Sequence, residues 1–168
     1  MKIKGVKQLV IPRFQDDRGQ LIKTYVLENF LKQSEFEVKE SWFTISRKNT
    51  IRGMHMQVGT FPSRKIVALI HGEIIDVLLD TRKDSSTYGA YMEIKLSSDN
   101  NNCILIDIPV GVAHGYKVLK ENSVVQYFAN EIHHNESDIG FHYKSFGYDW
   151  KIDNPILSIK DQNLPFFK

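Results

Sequence analysis

The sequence is short of several things at once. It has a single cysteine, Cys103, so no intrachain disulfide can staple the fold. Flanked by Asn102 and Ile104-Leu105, that thiol reads as a small buried strand residue rather than a nucleophile. No stretch approaches the roughly 20 apolar residues of a spanning helix. The first residues, MKIKGVKQLVIP, hold neither a long apolar run nor a cleavage-like site. A cytoplasmic protein without a membrane partner is the expectation. Charge of one sign is also scarce: 22 Lys and Arg stand against 20 Asp and Glu. The basic residues are scattered, which argues against a nucleic-acid partner. A small positive surplus gathered in one cleft would still suit an anionic small molecule. Repeats, low-complexity tracts and linkers are missing too. The 168 residues therefore fit one domain, 1–168, with enough chain for a core.

Alternation of period two is what the chain has in quantity. Gln20–Val26, Phe36–Lys39, Trp42–Ser46, Lys65–Ile70, Ile74–Asp80, Tyr91–Leu96, Cys103–Ile108 and Ser123–Ala129 read as extended segments. His71-Gly72-Glu73 reads as a tight turn, and Arg82–Gly89 and Ser97–Asn102 as polar turns. Helix is rare. Val26–Gln33 offers two turns with Leu27, Phe30 and Leu31 on one face, and Ser158–Asn163 offers a shorter one. The stretch after Gly140 is aromatic and irregular, and is expected to pack back on the sheet. An all-β jelly roll with one open end as a ligand pocket follows.

Four polar groups interrupt these apolar surroundings: His55, Lys65, His114 and Tyr127. Each has a structural alternative. A histidine can be a satisfied core residue, Lys65 can start a strand, and Tyr127 can be core aromatic with its hydroxyl bonded. His114, close to Gly111 and Gly115, marks either a close backbone approach or a bulge. A metal centre finds little support. The local pattern is His55-Met56-Gln57 rather than a His-x-His pair, and adjacent His133 and His134 would point to opposite faces of a strand.

Seven segments occur in order: FQDDRG from Phe14, RGMHMQ from Arg52, KIV from Lys65, GEIIDV from Gly72, DTRKDSSTYG from Asp80, IPVGVAHG from Ile108 and LSIKD from Leu157. On these the chain resembles the dTDP-4-dehydrorhamnose 3,5-epimerase family of cupin-type nucleotide-sugar epimerases, from about residue 10 to residue 165. The resemblance implies a β jelly roll, a homodimer, no metal and no cofactor. It also implies inversion at the carbons flanking the ketone of a nucleoside-diphosphate-4-keto-6-deoxyhexose, dTDP-linked first of all, in deoxysugar biosynthesis for a surface polysaccharide. The family's base falls on His55, its partner carboxylate on Asp161, the lysine ten residues after the histidine on Lys65, and the acid tyrosine on Tyr127. Arg18 and Arg52 suit a diphosphate, because guanidinium pairs bidentately with phosphate oxygens. His114 joins Lys65 as a partner for enolate oxygen, and Gln57, Trp42 and His133 fall on substrate-facing positions.

The chain also departs from the family pattern. A second tyrosine six residues after the acid tyrosine, followed by a proline, is replaced by His133 and Asn135. Gln-x-Asn becomes Glu40-Ser41-Trp42, and an acidic-Asp-Pro stretch becomes Lys144-Ser145-Phe146. A C3-only or C5-only epimerase, a 3,4-ketoisomerase and a non-catalytic sugar-binding cupin therefore stand as alternatives.

Overall fold

In the computed structural model, which describes residues 2–24 and 36–168, the alternating segments become strands. In chain order they are β1 (Lys7–Asp16), β2 (Gly19–Ile22), β3 (Glu40–Ser46), β4 (Ile51–Gln57), β5 (Lys65–His71), β6 (Glu73–Asp80), β7 (Tyr91–Ser97), β8 (Asn102–Ile108), β9 (Val112–Val118), β10 (Ser123–Ala129) and β11 (Asp138–Gly140). One short helix, α1 (Ile159–Gln162), follows. The proposed helix at Val26–Gln33 lies outside the described residues. Of the Gln20–Val26 segment, Gln20–Ile22 is strand. Phe36–Lys39 precedes β3 without joining it, although the Lys39 amide still donates to the Ala129 carbonyl.

The strands form two antiparallel sheets, β2-β1-β8-β5-β10-β3 and β11-β4-β9-β6-β7. This is the expected jelly-roll layering. Their facing sides enclose the main core, where Val67, Leu69, Ile106, Val125 and Tyr127 of the first sheet meet Ile74, Leu78, Tyr116 and Val118 of the second. Burying side chains of this size stabilises the fold by about 1.5–3 kcal/mol each. The aromatic tail packs back as expected: Tyr143 and Trp150 cover Met54, Met56, Val77 and Leu79 on the outer side of the second sheet. Cys103 is buried under the outer side of the first sheet, and burial raises its thiol pKa. Among the described residues no helix is long and apolar enough to cross a membrane.

Four strands, β1, β4, β9 and β11, appear where no periodicity marked them, and two of them show why. β1 carries Pro12, which cannot donate to a ladder. It is tolerated because Pro12 is the last β1 residue paired with β8, where β1 parts from that neighbour to form the β1–β2 hairpin. β9 is buried along its whole length, so it shows no polar face to alternate with. Its Val112, Tyr116 and Val118 face the main core, while Ala113 faces the tail.

Candidate active site

The site is built by register. Across the first sheet, Tyr127 of β10 stands beside Trp42 of β3 and Val67 of β5. One row along, Ala129 stands between Glu40 and Lys65. Residues two apart share a face, so Glu40, Trp42, Lys65, Tyr127 and Ala129 all point toward the second sheet. From that sheet, His55 of β4 pairs with His114 of β9. Two connected hollows lie between. An inner one of about 210 Å³ is lined by Arg52, His55, Lys65, His114, Tyr116, Tyr127 and Asp161, among others. An outer one of about 310 Å³ includes Glu40, Gln57, Lys65, Glu131, His133 and Asp138. Trp42, His55 and Lys65 line both and form the neck between them.

The turn into His55 depends on Gly53. Its φ is +117°, and a Cβ there would stand 2.5 Å from the Gly115 Cα. Only glycine accepts both the dihedral and the contact, which explains the glycine of Arg52-Gly53-Met54-His55. Gly115 is thereby a close backbone approach of β9 to β4, one of the two readings its sequence context left open.

His55 and Asp161 are joined, with Nε2 2.5 Å from Oδ1. Asp161 is buried on α1, where Ser158 caps the helix by accepting from the Asp161 amide at 3.0 Å. The imidazole is 30% exposed, so it is open to the cavity while its partner is sealed. With Nε2 turned to the carboxylate, Nδ1 is the ring nitrogen left without a partner among the described residues.

Tyr127 faces it from the other sheet, only 7% exposed. Burial raises its phenol pKa well above the ordinary value, with Tyr116 and Asp76 adding to the effect and Arg52 opposing it. Its ring stacks on Trp42, with centroids 4.9 Å apart and planes 5° from parallel. The Lys65 ammonium lies 5.8 Å from the Trp42 ring centroid and makes no hydrogen bond among the described residues. Burial lowers its pKa; Asp138 and Glu40 oppose that, and Lys160 adds to it.

A second histidine–carboxylate pair went unnoticed in the sequence. His114 Nε2 stands 2.7 Å from Asp76 Oδ2, both groups are buried, and Asp76 Oδ1 has no partner among the described residues. Burial raises the Asp76 carboxyl, while His114 pulls it back down. The signal was present: Asp76 is a carboxylate inside the apolar run Ile74–Leu79. Tyr116 and Thr44, hydrogen-bonded at 2.8 Å, complete the inner wall.

The remaining expected residues are placed differently from one another. Arg52 reaches the inner hollow, with its Nε donating to Ser46 at 3.0 Å. Gln57 spends its amide internally, donating to the Ile132 carbonyl and accepting from the His134 amide, so it ties the loop after β10 to β4. His133 and His134 lie in that loop and not in a strand. His133 lines the outer hollow, while His134 stacks on Phe61 at 3.7 Å. Arg18 is not brought to this site. Lys65 pairs with Ile108 at one end of β8, whereas β1 leaves β8 at Asn102, the other end, and runs on to the hairpin turn. There Arg18 is 90% exposed and paired with Asp16.

A family model described as dTDP-4-dehydrorhamnose 3,5-epimerase matches residues 1–168. The chain belongs to the dTDP-4-dehydrorhamnose 3,5-epimerase family. It is 34% identical over 157 residues to the enzyme of that name from Methanothermobacter thermautotrophicus, covering 89% of this chain and 83% of the relative. Identity to the Escherichia coli K12 enzyme is also 34%, over 90% of this chain and 83% of that one. The crystal structure of dTDP-6-deoxy-D-glucose-3,5-epimerase from Legionella pneumophila, in complex with dTDP-4-keto-L-rhamnose, superposes with a TM-score of 0.89 at 27% identity, covering 99% of this chain and 89% of that one. As an epimerase of this family the protein is an isomerase on a cupin-type jelly roll. In an epimerase fold of this kind, His55 and Tyr127 occupy opposite walls of one hollow.

Proposed function

We propose that this epimerase inverts C3 and C5 of a dTDP-linked 4-keto-6-deoxyhexose by removing a proton beside the ketone and returning one from the opposite face. The observation that carries the reading is the pairing of His55 on one sheet with Tyr127 on the other across a single hollow. His55 Nδ1 takes the C–H proton, and the electron pair moves onto the ketone oxygen as an enolate. The resulting imidazolium is stabilised by Asp161. The Lys65 ammonium, without a hydrogen bond among the described residues, receives the enolate oxygen, and His114 donates beside it. The enolate then collapses, its carbon taking the Tyr127 proton from the far side, and solvent restores both groups. Substrate and product have the same oxidation state, so the step needs no redox cofactor.

Arg52, which lines the inner hollow, meets the diphosphate in this reading. Arg18 serves a second copy, in a homodimer. Its hairpin points away from its own site and exposes Phe14 and Leu21, apolar residues suited to a partner surface. A cytoplasmic setting fits a nucleotide-sugar substrate.

One departure favours a second reading. His133 stands in the outer hollow, hydrogen-bonded to Asn135, where the family pattern has a second tyrosine. Inversion at one carbon alone would follow if that phenol were needed for the other. Proton NMR in deuterated water with dTDP-4-keto-6-deoxyglucose, following C3 and C5 separately, decides between them. Exchange and inversion at both centres support the main reading. One centre supports the second, and no exchange at either defeats both.

A further inference from the structure

The outer hollow holds three carboxylates, an unexpected lining for an anionic ligand. Two are matched: Glu131 pairs with Lys39 at 2.9 Å, and Asp138 with Lys160 at 2.5 Å. Glu40 is not. The residue is half-buried and its carboxylate makes no hydrogen bond or ion pair among the described residues. Lys65, in the same row, is also without one. The small side chain of Ala129 separates them, so the two charged groups rise on either side of a slot. Strands two positions apart set their backbones roughly 10 Å from each other. That leaves room for a sugar ring between an ammonium on one side and a carboxylate on the other. Leaving polar groups half-buried and unmatched is costly, so both are arranged for a ligand that brings the complementary groups.

The chemistry of the substrate class, as read in the preceding section, narrows the match. In a nucleoside-diphosphate-4-keto-6-deoxyhexose, C1 carries the diphosphate, C4 the ketone and C6 a methyl. C3 and C5 are the carbons that react. The hydroxyl at C2 is the ring's only donor on a carbon that is never inverted, and so the only one that stays fixed through the reaction. We propose that Glu40 is a specificity-determining residue that accepts a hydrogen bond from this C2 hydroxyl while Lys65 holds the oxygen at C4. Trp42, two residues on, closes the slot toward the inner hollow.

The test is a binding preference, which does not depend on turnover. Titration calorimetry with dTDP-glucose and dTDP-2-deoxyglucose is run on the unaltered protein, Glu40→Gln and Glu40→Ala, alongside pH profiles of solvent exchange with dTDP-4-keto-6-deoxyglucose. The unaltered protein is expected to prefer the C2 hydroxyl by about tenfold to a hundredfold, the range of one charge-assisted hydrogen bond. Glu40→Ala should erase the preference by weakening the hydroxylated ligand alone, and Glu40→Gln should keep part of it. Equal weakening of both ligands, or a preference that survives Glu40→Ala, overturns the proposal. So does an effect confined to a downward shift of the alkaline limb, which would mean that Glu40 acts only through the Lys65 charge. A preference without any exchange in the unaltered protein strikes the catalytic reading and not Glu40; exchange without a preference does the reverse.

Discussion

His55 Nε2 and Asp161 Oδ1 meet at 2.5 Å across 106 residues of sequence. The contact leaves Nδ1 as the ring nitrogen turned from the carboxylate, and in the proposed mechanism Asp161 stabilises the imidazolium that forms. Asp161→Asn keeps the size of the side chain and removes that charge. We expect kcat to fall roughly a hundredfold to ten-thousandfold with little change in KM or thermal midpoint. Steady-state kinetics and a melting curve on the same sample check it; a wild-type kcat would remove Asp161 from the mechanism. Ser158→Ala, which loses the cap on α1, should cost about 1 kcal/mol of stability and lower kcat beyond that loss.

Tyr127→Phe separates the two halves of the reaction. The proton can still leave toward His55, so deuterium should enter the sugar. Return from the opposite face has lost its donor, and net inversion should drop at least a hundredfold. Parallel loss of exchange and inversion would argue that the phenol only packs the core. Because the phenol pKa is raised well above its ordinary value, Tyr127 stays protonated through alkaline pH and adds no limb there.

Lys65 is the group expected to supply an alkaline limb instead. Burial holds its pKa below the free-lysine value of about 10.4. In the proposed mechanism the charged form holds the enolate, so kcat/KM should fall as pH rises through the depressed pKa. Lys65→Met should lower kcat about a hundredfold to a thousandfold and abolish that limb. A limb that persists unchanged in the variant must belong to another group.

Asp80 predicts a stability effect without a catalytic one. Burial opposes its ionisation, yet bonds from Arg82 at 2.7 Å, Ser85 at 2.6 Å and Thr87 at 2.5 Å hold its carboxyl well below the usual range. The folded pKa lies below the unfolded one of about 3.9, so this stabilisation is complete above that pH and fades as pH falls through the folded value. Asp80→Ala, leaving Arg82 unpaired, should cost about 3–5 kcal/mol at pH 7, and the gap from wild type should narrow in acid. Urea melts at pH 7 and pH 3 measure it. Activity per folded molecule should be unchanged.

The layering of the fold was legible because most strands have one covered face and one open or half-covered face, so polarity alternates along them. β9 was not: both its faces are covered, as in β5 and β6, but His114, Gly115 and Lys117 break the apolar run by which those two could be read. β1 was hidden by Pro12, whose position at the end of a pairing cannot be read locally. His55, Lys65, His114 and Tyr127 stood out as polar breaks in apolar runs, and the structure gathers all four around one hollow. Asp76 broke its run in the same way and was missed, because a lone carboxylate in a strand resembles a turn residue until its histidine is found opposite. Arg18 shows the converse limit. Its residue type suits a diphosphate, but only sheet order and register reveal that it sits at the far end of its own chain's barrel.

Every strand is finished by Gly140, whereas Asp161 arrives on α1 after the last of them. Synthesis therefore completes the vessel before it supplies the counter-charge for the imidazole. A product ending before α1 would keep His55 on β4 but lose Ser158 and Asp161, part of the wall of the inner hollow. In the proposed mechanism, then, the last secondary-structure element to be made is the one that equips the imidazole for its task.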